Sequence, residues 1–263
     1  MSRICPLFSG STGNSTYISG PSGSLLIDAG VSLRSLSAAL EAAGGRIDDI
    51  TDIFITHEHA DHIKGLSPFL KKTGARVIAS EKTLSALICA GKIPAGIETL
   101  AAESGKVTEI PAAAFIRFAT PHDCDGSSGY CFFMPDNVKI SVCTDLGKVT
   151  DEIRQALNGS DAVLLESNHD IEMLKKGPYP PELKMRILSD TGHISNSSCA
   201  CELPALLEAG TTRFILGHLS RHNNTPLLAL SSAEAILTDA GAESGSDYML
   251  TVAAPSSNRV TVV

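Results

Sequence analysis

The segment His57-Glu58-His59-Ala60-Asp61-His62 directly follows an apolar, strand-like run, Asp52-Ile53-Phe54-Ile55-Thr56, and this junction restricts the fold more than any other part of the chain. Four of its six residues are good metal ligands, a density that packing alone rarely produces. On an extended backbone alternate side chains share a face, so His57 and His59 point the same way, while Asp61 and His62 stand where a helix would begin. The strand must therefore end where other parts of the chain deliver further ligands, and one short segment can feed two adjacent metals. Glu58 and Ala60 read as spacers.

The rest of the composition narrows the class of protein. At 263 residues and 43% hydrophobic, with no tryptophan and no low-complexity tract, the chain has ample material for a core and no sign of disorder. No apolar stretch approaches the roughly 20 residues that span a bilayer. Met1-Ser2-Arg3-Ile4-Cys5-Pro6 lacks the long apolar region of a signal peptide, so a cytoplasmic protein with no membrane partner is expected. Its seven cysteines are odd in number and dispersed, which suits reduced thiols, and Cys199-Ala200-Cys201 lacks the two-residue gap of a zinc knuckle. The net charge of −8 argues against coating nucleic acid by bulk electrostatics, but not against a nuclease. Carboxylates gathered around metals add to that count, and two divalent cations would restore positive charge where an anionic substrate binds.

Short strands are expected at residues 16–19, 24–28, 52–56, 76–80, 114–120, 130–134, 139–144, 162–166 and 213–217, with further strands near 248–253 and 259–263. Helical spacing recurs at Leu33, Leu36 and Leu40 before Gly44-Gly45, and at Leu84, Leu87 and Ile88 before Gly91. Further helices are expected over 151–157, after Ser195 and over 232–240, with Pro204 kinking or shortening the second of these. No linker or repeat divides the chain, so one domain over residues 1–263 is the economical reading, with two similar βα-rich halves left open. The basic, proline-rich segment 175–186 reads as an irregular loop, either merely solvated or in contact with substrate through Lys175, Lys176, Lys184 and Arg186.

A two-metal hydrolase needs ligands from several segments. Three strand-like runs elsewhere end in a suitable residue: Phe118-Ala119-Thr120-Pro121-His122, Ile140-Ser141-Val142-Cys143-Thr144-Asp145, and Arg213-Phe214-Ile215-Leu216-Gly217-His218. Each alone could be a loop residue or helix cap; together with the hexapeptide they complete two coordination shells.

In this order the ligands resemble those of the metallo-β-lactamase superfamily, whose hydrolases carry His-x-His-x-Asp-His followed by a distant His, Asp and His. The resemblance begins at Leu25-Leu26-Ile27-Asp28, similar to that superfamily's early strand ending in a structural aspartate, and runs over nearly the whole chain. It implies an α/β fold, a four-layer αβ/βα sandwich with the metals at one edge. It further implies that His57, His59 and His122 bind one divalent metal ion, zinc or manganese, that Asp61, His62 and His218 bind a second, and that Asp145 bridges them. Aspartate at 145 departs from the cysteine of the di-zinc lactamases and resembles the dinuclear phosphodiesterases and thioesterases. His59 and Asp61 also argue against the oxygen-reducing diiron branch, which replaces a histidine by glutamate. Within the superfamily, Leu7-Phe8-Ser9-Gly10-Ser11-Thr12-Gly13-Asn14-Ser15, residues 164–170, Gly192-His193-Ile194-Ser195-Asn196 and His218-Leu219-Ser220-Arg221-His222-Asn223-Asn224 look like the bacterial YycJ/WalJ group of 5′ to 3′ DNA exonucleases. His222 departs from the less distinctive polar or acidic residue expected there.

A phosphodiesterase needs an activated nucleophile, charge neutralisation and a proton for the leaving alkoxide. Two metals can hold a bridging hydroxide and clamp the phosphate. His193, in a turn before a helix and with an ordinary pKa near neutrality, is the candidate general acid. Similarity to the RNase Z and β-CASP nucleases implies that Glu166 orients it, with Asp61 as a catalytic carboxylate as well as a ligand. Asn14, His169, Ser195 and Asn196 are candidate substrate contacts, His169 alternatively a support for a ligand. A DNA exonuclease is the favoured reading. A glyoxalase II-like thioesterase or lactonase could share every ligand, but Glu166 and His193 favour a phosphodiester, because an alkoxide leaving group gains more from a proton donor than a thiolate does. A non-catalytic metal-binding regulatory protein is the reading from another class.

Overall fold

Ile53 and Phe54, like Leu164 and Leu165, are adjacent residues on strands, so they face opposite sides, yet all four are buried. Such strands need a layer on each face. The computed structural model, which describes all 263 residues, provides it. In chain order the elements are β1 (Arg3–Phe8), β2 (Ser15–Gly20), β3 (Gly23–Ile27), α1 (Leu33–Ala42), β4 (Ile50–Phe54), α2 (Ala60–Ile63), α3 (Leu66–Thr73), β5 (Arg76–Ala79), α4 (Glu81–Cys89), β6 (Thr99–Ala101), β7 (Val107–Glu109) and β8 (Ala114–Ala119). They continue with β9 (Ser128–Phe133), β10 (Lys139–Cys143), α5 (Asp151–Leu157), β11 (Ala162–Glu166), α6 (Ile171–Lys176), α7 (Pro181–Ile187), α8 (Asn196–Glu208), β12 (Arg213–Gly217), α9 (Pro226–Asp239), β13 (Met249–Val252) and β14 (Thr261–Val262).

Two seven-stranded sheets result, ordered β14-β1-β2-β3-β4-β5-β6 and β13-β12-β11-β10-β9-β8-β7. In each, antiparallel pairs give way to parallel ones: β3 through β6 run parallel in the first, β10 through β13 in the second. Ile27, Phe54, Ile78, Phe115, Val142, Leu164 and Ile215 pack between the sheets. Alternate residues face outward: Ile53 and Val77 onto α1, α3 and α4, and Val163, Leu165 and Phe214 onto α5, α8 and α9. This is the four-layer αβ/βα sandwich. Phe54 anchors its centre, edge-on to Phe115, Phe132 and Tyr130 at 4.8, 4.9 and 5.1 Å, and Tyr130 Oη donates to Ile55 O at 2.8 Å. The end of β4, from which the ligands depart, is thus fixed from both sheets.

Several local expectations change. Strand β1 was not expected, because Pro6 interrupts its pattern; a proline is accommodated where the β1–β2 register shifts, between Pro6 and Phe8. Strands β6 and β7 are three-residue edge strands too short to show alternation. Helix α9 starts at Pro226, not 232: Thr225 Oγ1 caps it by accepting from Leu228 N, and Pro226 occupies the first turn. Pro204 does not break α8, which runs unbroken for 13 residues; Leu203 and Leu206 are buried on either side of the lost hydrogen bond, and this packing outweighs it. The segment 175–186 is not irregular: α6 and α7 occupy most of it, the first capped by Asp170 and the second opened by Pro181. All seven cysteines are free. No helix is long and apolar enough to cross a membrane.

Candidate metal centre and catalytic cleft

The candidate ligands converge at the ends of parallel strands from both sheets, the usual site for chemistry in open α/β folds. Three of the strand ends adopt a left-handed backbone at a non-glycine residue: Asp28 after β3 (φ 59°), Asp145 after β10 (φ 60°) and His218 after β12 (φ 54°). Such conformations are costly for residues with a Cβ and concentrate at functional sites. Each lets the chain turn away while its side chain stays aimed at the cleft.

His57, His59 and His122 form one group, their ring centroids 4.6, 5.0 and 5.2 Å apart. His57 Nδ1 lies 3.0 Å from Thr56 Oγ1, which turns Nε2 toward His59 Nδ1 at 3.1 Å. His122 Nδ1 donates to Gly192 O at 3.2 Å, leaving its Nε2 to face the cleft. Burial and the neighbouring imidazoles hold the His57 pKa well below its ordinary value, and burial lowers that of His122, so both stand ready as neutral ligands.

Asp61, His62 and His218 form the second group, with Asp145 between the two. His62 Nδ1 donates to Asp28 Oδ2 at 2.7 Å; its Nε2 then faces Asp61 and Asp145, 3.5 Å from Oδ2 of each. Asp28 also accepts from Thr56 N and Oγ1 at 2.9 and 2.8 Å, so one buried carboxylate sets both the strand end and the His62 tautomer. Asn14 Nδ2 lies 3.2 Å from Asp61 Oδ2 and 3.0 Å from His62 Nε2, while its Oδ1 accepts from Gly10 N. The backbones here touch: Gly30 N donates to Asn14 O, and a Cβ at Gly30 would stand 1.7 Å from Asp61 O, so only glycine fits. Burial opposes charging His62, but Asp145 and Asp28 overcome it and raise its pKa to about 9. Burial likewise opposes charging His218, and Asp145, Asp61 and Glu166 raise it well above normal. Asp61 is held well below the carboxylate range, because His218 and His62 outweigh its burial.

The donor set fits divalent cations. Asp145 Oδ2 and His218 Nε2 are buried without a hydrogen-bond partner, and His57 Nε2 and His59 Nδ1 face each other at 3.1 Å, where only a proton or a cation can lie between them. Asp145 offers oxygens to both groups, within ligand spacing of His57 and His62 on one side and of His218 on the other.

Glu166, fully buried at the end of β11, accepts from His193 Nδ1 at 2.7 Å and His218 Nδ1 at 3.1 Å through Oε1, and from Leu146 N through Oε2. Burial alone would raise its pKa, but the two imidazoles outweigh it and hold the group ionised. Although burial lowers the His193 pKa, Glu166 raises it on balance. Its ring lies 5.2 Å from those of both His122 and His218, at the seam between the two ligand groups.

Of these residues, His59, Asp61, His122, Asp145, His193 and His218 line a cleft of about 250 Å³, together with Tyr179, Leu183, Arg186 and Ile187 from the α6–α7 segment. Tyr179 packs edge-on against His222, 5.8 Å between centroids, which places His222 at the mouth. Of the four basic residues singled out, Arg186 alone lines the cleft; Lys175 and Lys176 pair with Glu172, and Lys184 donates to Lys175 O. Arg186 binds Asp123, whose Oδ1 lies 3.3 Å from His122 Nε2 and 3.7 Å from His59 Nε2. Neither Asp123 nor Thr56 was singled out from the sequence; adjacency to a ligand histidine was the available signal in both cases. Among the candidate substrate contacts, Ser195 caps α8 by accepting from Ser198 N, and Asn196 forms a reciprocal amide pair with Asn224; neither lines the cleft. His169 is buried with both ring nitrogens unpartnered, and burial lowers its pKa to about 4.

The family described as "Beta-lactamase superfamily domain" matches residues 24–219, which include every candidate ligand. The chain belongs to this superfamily. It is 37% identical over 236 residues to a Bacillus anthracis protein named exodeoxyribonuclease YycJ, covering 89% of each chain, and 37% identical over 226 residues to the Streptococcus pneumoniae exodeoxyribonuclease WalJ, covering 85% and 83%. Among solved structures, the metallo-β-lactamase fold protein YhfI from Bacillus subtilis matches over the full length of both chains with a TM-score of 0.72 at 14% identity. Human tRNase Z, short form, matches over 100% of this chain and 99% of its own with a TM-score of 0.66 at 14% identity. At such identities these structures speak for the metallo-β-lactamase fold alone.

Proposed function

We propose that the chain is a metal-dependent exodeoxyribonuclease that binds two divalent ions, zinc or manganese, and degrades DNA from the 5′ end, the direction the YycJ/WalJ resemblance implies. The class of reaction, metal-dependent hydrolysis of phosphodiester bonds, follows from its superfamily and from relatives at 37% identity named as exodeoxyribonucleases. When bound, the metals supply positive charge for the phosphate and lower the pKa of water so that hydroxide is available at neutral pH. His57, His59 and His122 would hold one ion and Asp61, His62 and His218 the other, with Asp145 offering an oxygen to each.

The single observation that carries the reading is the Glu166–His193 pair. Glu166 Oε1 fixes the proton on His193 Nδ1, so Nε2 is the nitrogen presented to the cleft. A buried carboxylate behind an imidazole favours the protonated form, and the protonated His193 can give a proton to a departing 3′ or 5′ alkoxide. A thiolate would not need it. Asn14, Asp28 and Thr56 keep the ligand side chains in place, and Arg186 on α7 offers a guanidinium beside the cleft that a phosphate can take over from Asp123.

Incubation of end-labelled linear DNA and a closed circle with the manganese- or zinc-loaded protein is the direct test. Stepwise release from the 5′ end with the circle intact is expected. Hydrolysis of S-lactoylglutathione without any cleavage of DNA or bis(p-nitrophenyl) phosphate would overturn the proposal.

A further inference from the structure

Two segments distinctive in the sequence, residues 7–15 and 218–224, have no part in holding metal apart from His218 and Asn14. The fold brings them together. Ser9 Oγ accepts from His218 N at 2.8 Å, and Gly10 lies so close to the second segment that a Cβ there would stand 3.2 Å from Leu219 O. Between these loops and the start of α9 opens a second cavity of about 390 Å³, within the roughly 300–1,000 Å³ typical of small-molecule sites. It shares Ser11 and Ser220 with the catalytic cleft, so the two are contiguous.

Its chemistry differs from that of the cleft. Asp61, Asp123 and Asp145 line the cleft, whereas no carboxylate lines the second cavity, although the chain carries a net charge of −8. Arg221 lines it, exposed and in no ion pair, near the exposed hydroxyls of Ser11 and Thr12. Part of its wall is apolar, built from Leu219, Pro226, Ala253 and Pro255. An unpaired guanidinium with hydroxyl donors suits a phosphate monoester, whose second negative charge distinguishes it from an internal diester. The apolar wall suits the sugar and base attached to it.

We propose that this cavity binds the terminal nucleotide of the strand, gripping its phosphate monoester through Arg221, and so makes the enzyme cut at ends. This rests on the nuclease reading and adds to it what distinguishes an end from the interior of a strand. The phosphate can belong to a 5′ or a 3′ terminus, and the choice of probes separates them.

The metal-loaded wild-type protein and Arg221→Ala are titrated calorimetrically with thymidine 5′-monophosphate, thymidine 3′-monophosphate and thymidine. Both proteins also digest linear duplexes with 5′-phosphate, 3′-phosphate or hydroxyl ends. One monophosphate should bind more tightly than thymidine, and Arg221→Ala should weaken it about tenfold, the value of one charge-assisted hydrogen bond. The ratio of kcat/KM on the matching phosphorylated end to that on hydroxyl ends should fall by a similar factor, with Arg221→Lys recovering part of each loss. Equal nucleotide affinity in wild type and Arg221→Ala overturns the pocket, and if DNA is still degraded the nuclease reading stands. Arg221-dependent nucleotide binding with no degradation of any DNA keeps the phosphate site and removes the nuclease reading.

Discussion

His57, His59 and His122 meet as three imidazoles with ring centroids 4.6 to 5.2 Å apart, whereas Asp61, His62 and His218 meet with carboxylates interleaved between the rings. The first group without a cation is a cluster of mutually repelling bases, and burial with like neighbours keeps His57 and His122 neutral. The second can satisfy itself with protons, since Asp145, Asp61, Asp28 and Glu166 draw them onto His62 and His218. On the proposed assignment, a metal would enter the first group against less proton competition than the second. Asp145 belongs electrostatically to the second group while reaching the first.

The strongest way to break this contrast is Asp145→Asn. Removing the shared anion should lower DNA cleavage by more than about 10³-fold, several kcal/mol of charge stabilisation. Elemental analysis should show metal lost from the protein as well; full metal content with unimpaired cleavage would refute the shared role. His193→Ala should slow cleavage by about 10² to 10⁴-fold, the usual weight of a general acid, with both metals retained. Equal metal loss in His193→Ala and Asp145→Asn would show that His193 is part of the binding site and not the proton donor.

Asp28→Asn weakens the contrast without replacing a candidate ligand, because it loosens the hold of the carboxylate on the His62 tautomer. Metal affinity in the second group should fall by about 10 to 100-fold, as for other groups behind a ligand, and affinity in the first should hold. Sequential chelator titration separates the two. Acidification tests the same asymmetry in the intact protein. Because the His62 pKa is raised to about 9 while those of His57 and His122 are lowered, protons should compete with metal at His62 from a higher pH than at His57 and His122. Dialysis in steps from pH 8 downward should release one equivalent before the other; simultaneous release would contradict the assignment. The smallest effect expected is on the pH profile. Glu166 raises the His193 pKa above that of an ordinary histidine, so the acid form extends to higher pH, cleavage should fall as pH rises through that raised value, and Glu166→Gln should move this alkaline limb to lower pH. An unmoved limb would separate Glu166 from proton transfer.

The sequence by itself determined the strand ends that carry the candidate ligands. Hydrophobic runs that stop at His57, His122, Asp145 and His218 are local patterns, and strand termini are where local patterns are clearest. The layer count came only through the resemblance to the metallo-β-lactamase superfamily, and the strands buried on both faces, such as 162–165, agree with it. What local pattern could not carry was anything set by partners distant in the chain. Strand β1 hides behind Pro6 and is held by β2 and by the returning β14. The helices α6 and α7 lie in a basic, proline-rich stretch whose composition reads as loop, and their placement over the cleft depends on Tyr179 meeting His222 and Arg186 meeting Asp123, 43 and 63 residues away. The three left-handed strand ends, the Asp28 carboxylate that sets the His62 tautomer, and the cavity between residues 9–12 and 219–226 exist only once segments distant in the chain are brought together. Ligand identity is a property of residue types along a short segment; tautomer, protonation and access arise from which groups the fold presses against them.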